Sequence, residues 1–292
     1  MTSFKKPLIA IASAVALVGT MLIAGPAIAS SATLTVAGAS PASAGTSSAS
    51  AIALPVPSDN DVSSADALRI SLSGVTAGSN VVVTATNAKI VTAVTSGSTT
   101  VKVDSGVSTA TIATGTGTTA DVYVYTTTTE TGTVVVTANS NTTTYYVKGT
   151  AGAAYNLAVV APSVANLGAA VELTATVTDV FGNAVTNASI SSAVIRGTIG
   201  AFSYDATDKR YEATLIAPAT AGTTVVANTI TASAVAGLAK PATEVVSNIS
   251  VADLAGQVAV LTAQIAALKA DYNSVAKKFN KKVKKSKRVA LK

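Results

Sequence analysis

With no His and no Cys among its 292 residues, the chain leaves its carboxylates as the first candidates for bond-making chemistry. That absence removes thiol nucleophiles, His-based acid–base catalysis and the common zinc ligand sets together. What remains is an acid pair of the kind that cleaves glycosidic bonds, one carboxyl donating a proton and the other acting as nucleophile or base. The densest acids are Asp179, Asp205, Asp208 and Glu212. Asp179 stands just before Phe181-Gly182-Asn183, where an Asp bonds nearby backbone amides in a turn, and Asp205 and Asp208 flank a hairpin tip. Structural roles are therefore expected, no catalytic residue is assigned, and the chain reads as a non-enzyme. Asp59-Asn60-Asp61 with Asp66 offers oxygen ligands of the type Ca2+ takes, but lacks the glycine and distal glutamate of an EF-hand loop. A linker acid cluster is the simpler reading, so neither metal nor cofactor is assigned. Tyr123, Tyr125, Tyr145 and Tyr146 could stack on sugar rings. The expected alternative is that some fill an interior while the others cover an outer sheet face.

The C-terminus carries a chemistry of cohesion. From Val251 onward apolar residues recur in alternating steps of three and four, as a coiled-coil seam requires. The seam assigned to self-association is Leu254, Val258, Leu261, Ile265, Leu268, Tyr272, Val275 and Phe279. With Val258, Ile265, Tyr272 and Phe279 at a positions, the others fall at d. β-branched a residues with leucine at d favour a parallel pair, although Tyr272 and Phe279 are bulky enough to shift strand number. Gln257, Gln264, Ala255 and Thr262 at g and e offer little charge selection. An isolated helix of this length is marginal in water, so the stripe needs a cover, and a second copy is preferred to the flank of its own body.

A basic run follows: Lys277, Lys278, Lys281, Lys282, Lys284, Lys285, Lys287, Arg288 and Lys292, with no carboxylate among them. Residues 30–276 hold nine basic against fourteen acidic side chains, so the net charge of +6 is a property of the tail. Residues 1–29 explain which partner suits that tail. Lys5 and Lys6, an apolar run from Leu8 to Ala24, and Ala27-Ile28-Ala29 form the pattern of a secretory signal cut near Ser30. Export turns a basic patch away from nucleic acid and toward anionic cell-envelope polymers.

The elements between are strands. Charged residues make up only 12% of the chain, and abundant Thr and Val suit a pleated surface rather than disorder. Residues 30–66 are a Ser, Ala, Pro and Gly mixture, expected to be a linker or a loosely held first strand, with one candidate strand at 32–37. From Leu68 short runs recur about every ten residues between Gly, Ser, Asn and Asp clusters, the rhythm of a β-sandwich over 67–152. A second set occupies 153–250, with Val171, Leu173, Ala175 and Val177 alternating with polar residues. The predicted fold is mainly β: two tandem Ig-like β-sandwiches, a coiled-coil-like helix over 251–279, and a basic tail over 280–292.

Within the second set, Val171–Val185, Gly200–Tyr204, Tyr211–Leu215 and Pro218–Thr223 carry a strand ending in Thr-Asp, a Gly-Asn turn, a Tyr-x-Ala-Thr strand and a Gly-Thr turn. In that order the stretch resembles bacterial immunoglobulin-like domains of the invasin and intimin type. The layout as a whole is also similar to S-layer or S-layer-associated surface proteins of actinobacteria. The resemblance implies a secreted protein of the cell surface, a structural subunit or stalk, with an adhesin or glycan-binding module as the alternative.

Overall fold

The computed structural model describes residues 30–91, 101–285 and 289–290. The expected signal segment, residues 92–100 of the first expected sandwich, and Lys287, Arg288 and Lys292 lie outside the described residues. The first region contains β1 (Ser31–Val36), β2 (Ile52–Pro55), β3 (Asp61–Val62), β4 (Leu68–Ser73), β5 (Asn80–Thr86), β6 (Lys89–Val91), β7 (Val101–Lys102), β8 (Thr109–Ala113), β9 (Thr119–Tyr125), β10 (Thr131–Ala138) and β11 (Asn141–Thr150). The second contains β12 (Asn156–Val160), β13 (Val164–Asn166), β14 (Ala170–Thr178), β15 (Ser191–Ile195), β16 (Thr198–Ile199), β17 (Ser203–Asp205), β18 (Arg210–Ile216), β19 (Gly222–Thr229) and β20 (Glu244–Ala252), followed by α1 (Leu254–Lys282).

Strand order identifies the architecture. In the first region one sheet runs β1-β4-β9-β6 and the other β2-β11-β10-β5-β8; in the second they run β12-β14-β18-β16, with β17 also on β18, and β13-β20-β19-β15. Both place the first strand antiparallel on one sheet, at β1–β4 and β12–β14, and the next strand parallel to the last, at β2–β11 and β13–β20. This is the immunoglobulin-like wiring of two antiparallel sheets, used twice.

Alternation drives it. In β5 the pattern Val81, Val83, Ala85 inward and Val82, Thr84, Thr86 outward buries one face, and β10 and β14 do the same. The outward face of the five-stranded sheet is largely threonine, with Thr86 opposite Thr133 and Thr84 opposite Thr109, so hydroxyls meet water where charges are scarce. Asn139 and Ser140, at φ 51° and 64°, make the two-residue turn that joins β10 to β11 with the correct twist. The Asn139 side chain then bonds Thr76 N and Gly74 O, at 2.8 Å each, fastening the neighbouring loop.

Within residues 30–66 the candidate strand at 32–37 is β1, while the rest differs from the linker expectation. They supply three strands, and Ile52, Leu54 and Val62 are fully buried. Ile52 and Leu54 enter the first core through the parallel pairing of β2 with β11. β3 pairs with β7, and this ribbon packs Val62 with Val91 and Tyr125 against the outer side of the four-stranded sheet.

Candidate assembly helix and the junction between sandwiches

α1 starts at Leu254 rather than Val251, because alternation carries β20 to Ala252 and leaves Val251 pointing into the second core at 2% exposure. Asp253 is the N-cap. Its carboxylate accepts from Gly256 N at 2.7 Å, and a Cβ on Gly256 would lie 2.1 Å from that carboxylate, so glycine suits this position. Leu254 N donates to Asn166 Oδ1 at 3.1 Å, which pins the helix start to the end of β13.

Beyond this anchorage most of the helix surface is exposed. All eight seam residues are exposed, from 36% at Tyr272 to 70% at Leu268. The structure thus places them on one helical face that is largely open to solvent among the described residues. Lys277, Lys278, Lys281, Lys282, Lys284 and Lys285 are exposed as well. At about 100° per residue the four helical lysines are centred about 140° around the helix from the seam, so seam and charge can be engaged at once. After α1 the chain returns: Asn280 Nδ2 donates to Val289 O (2.8 Å) and Val289 N donates to Asn280 Oδ1 (2.7 Å), with Ala276 buried one turn earlier. No helix among the described residues is long and apolar enough to cross a membrane.

The candidate acids have structural partners. Asp179 is 1% exposed and accepts from Phe181 N and Asn183 N at 2.9 Å each and from Gly152 N at 3.0 Å. Asn183 Nδ2 donates to both its oxygens, at 3.2 and 2.9 Å. Asn183 also reaches across to the first sandwich, donating to Thr127 O (2.9 Å) and accepting from Thr129 N (3.2 Å). The turn is therefore a latch: one buried carboxylate organises the loop that grips the other domain and the connecting Gly152. Sequence reasoning found Asp179 as a turn residue but missed Asn183 as the bridge, for which no local signal exists.

Asp205 accepts from Thr207 N (2.6 Å) and Asp208 N (3.1 Å), and these amides, that of Asp208 foremost, hold its carboxyl below the ordinary carboxylate range. A general acid needs the opposite shift. The carboxylates of Asp205, Asp208 and Glu212 lie within 4.8 Å of one another, and Arg210 pairs with Glu212 (2.9 Å), Glu172 (3.1 Å) and Asp208 (3.2 Å). A cation of the chain itself thus serves this cluster. In the other acid group, Asp59 accepts from Asp61 N, Asp66 from Ser63, and Asp61 pairs with Lys102 at 2.7 Å.

The four tyrosines do not share a face. Tyr145 joins the first core, Tyr125 is buried beneath the β3–β7 ribbon with its hydroxyl donating to Val103 O, Tyr123 packs beside it, and Tyr146 lies on the other sheet. Burial pushes the Tyr125 and Tyr145 phenols up. In the second sandwich Tyr211 donates to Val185 O (2.8 Å) and accepts from Ala188 N (2.7 Å), so tyrosine hydroxyls fasten loops in both halves.

Among solved structures, the chain is similar to invasin, a bacterial integrin-binding protein, at 16% identity and a TM-score of 0.32, covering 77% of this chain and 40% of that one. The Escherichia coli adhesin FdeC matches at 16% identity and a TM-score of 0.37, covering 79% and 66%. Domains 4 and 5 of the S-layer protein SbsC match at 17% identity and 0.28, covering 44% and 68%. The chain thus spans less than two thirds of the length of the first two. No family model matches the sequence, and no curated protein is significantly similar to it. These neighbours are of the kind named by the resemblance of residues 171–223, and the immunoglobulin-like fold itself follows from the strand order.

Proposed function

We propose that this chain is a non-enzymatic structural protein of the bacterial cell surface, in which two latched sandwiches project from a self-associating helix whose lysines rest on anionic envelope polymers. One observation carries the reading: a 29-residue helix leaves eight apolar side chains between 36% and 70% exposed along one face. Each seam side chain, once covered, contributes on the order of 1.5–3 kcal/mol, enough for a stripe of this length to hold copies together. The lysines add many weak contacts that salt screens over about 8–10 Å. Recognition of glycans by the sandwiches is the other reading, and no shared tyrosine face supports it among the described residues.

A chain ending at Asp253 keeps β20 intact and provides the test. Sedimentation should show the full chain as an oligomer and the shortened one as a monomer. Concentrated salt should strip the full chain from isolated envelopes. A shortened chain that remains oligomeric and envelope-bound would refute the reading.

A further inference from the structure

The seam positions 254, 258, 261, 265, 268, 272, 275 and 279 advance in steps of 4, 3, 4, 3, 4, 3 and 4, a spacing that reads the same from either end. Reversing one helix against a second copy therefore keeps every layer aligned. Leu254 meets Phe279, Val258 meets Val275, Leu261 meets Tyr272, and Ile265 meets Leu268. A parallel pair would instead stack Tyr272 on Tyr272 and Phe279 on Phe279 in neighbouring a layers, overfilling them, and leave leucine against leucine elsewhere. Opposing each ring to a leucine evens the layer volumes, which is how a core reaches native density without strain.

Charge selects the same direction. In a parallel pair the lysines from 277 to 285 of both copies would crowd together, whereas reversal separates them by about 32 Å or more, several screening lengths. It also brings each lysine end beside a helix start that carries Asp253 and no basic residue before Lys269. Ala276, buried beside the seam one turn before Asn280, would meet the equally small Ala255 of the second copy.

We infer that α1 pairs with α1 of a second copy in antiparallel orientation, Leu254 of one opposite Phe279 of the other, giving a two-ended particle with a latched pair of sandwiches at each end. This rests on the self-association proposed above and departs from the parallel pair that the β-branched a residues favour.

The absence of cysteine gives a clean test. Full-length Leu254→Cys and Phe279→Cys proteins are mixed, allowed to exchange and oxidised. The heterodisulfide should exceed either homodisulfide by about tenfold, because like positions stand about 37 Å apart, far beyond the roughly 7 Å reach of a disulfide. Val258→Cys mixed with Val275→Cys should behave alike and guards against fraying at one end. A dominant homodisulfide at Leu254→Cys would overturn the orientation while leaving self-association intact. A wild-type chain that sediments as a monomer would overturn both.

Discussion

In the first sandwich twenty buried apolar residues among those described, from Ile52 to Val147, form one cluster. In the second, eight cluster around Leu173, Leu215 and Ile249, and six more around Leu157, Val177 and Tyr211, with Phe202 touching both. The division has a visible cause along β19 and the residue after it, where Val226 faces one cluster and Ile230 the other, with the buried Asn228 between them. Asn228 Oδ1 accepts from Ser192 Oγ at 2.7 Å, a polar pair set across the sheet where the first sandwich has only hydrocarbon. The strand order is nevertheless the same apart from β8, which only the first sandwich has, so wiring follows from alternation and turns, and core continuity governs how firmly that wiring is held. The less continuous half is also the one that bears both the Asp179 latch and the helix.

If that contrast is real, equal truncations should have unequal consequences. Leu173→Ala, at a fully buried position in the smaller core, should cost about 3–5 kcal/mol and unfold the second sandwich selectively. Ile70→Ala, equally buried in the first, should cost about 2–5 kcal/mol yet leave that half folded at room temperature. Hydrogen exchange read separately over 31–150 and 156–252 distinguishes the two. Parallel loss of protection in both halves would mean that they fold as one unit and the contrast has no thermodynamic content.

The latch tests how far the halves are coupled. Asp179→Ala leaves the amides of Gly152, Phe181 and Asn183 without their acceptor in a buried site, and should cost about 2–4 kcal/mol. Its loss should also free Asn183 from Thr127 and Thr129, so small-angle scattering should report a broader range of end-to-end distances. Asp205→Ala, at a hairpin tip, serves as the control that leaves the scattering curve unchanged. An unaltered curve for Asp179→Ala would place the coupling elsewhere.

These elements differ in how openly the sequence declares them. β4, β5, β10, β14 and β18 alternate over enough residues to declare a buried face, and the seam of α1 declares itself by spacing. β2, β3, β13 and β16 are two to four residues long, too short for alternation to stand out, and β2 sits among prolines and serines. Their strand character comes from partners far along the chain, as β2 gains its own from β11. The same holds at the candidate site. Asp179 was readable from its turn, but the grip of Asn183 on residues more than fifty positions away was not. The eight seam positions were readable, whereas their nakedness was not, because nothing in an apolar stripe tells whether its own body covers it.

The finest expected difference concerns Thr224, fully buried on β19 with its Oγ1 unpartnered, as is Nδ2 of Asn228. An orphan hydroxyl gives up its bond to water and gains nothing in return, and Thr is close to Val in shape. Thr224→Val keeps the branched β-carbon that suits a strand and removes only the polar atom, so it should raise the stability of the second sandwich by about 1 kcal/mol. The corresponding change at Asn228 is less clean, because it would strip Ser192 of its acceptor, and it needs Ser192→Ala beside it. Melting of the 156–252 half, followed against an unchanged first half, reads both variants. A rise for Thr224→Val would show that the second core is weakened by uncompensated polar burial. A fall would show that the hydroxyl has a hydrogen-bond partner in solution, so that polar burial on β19 is compensated.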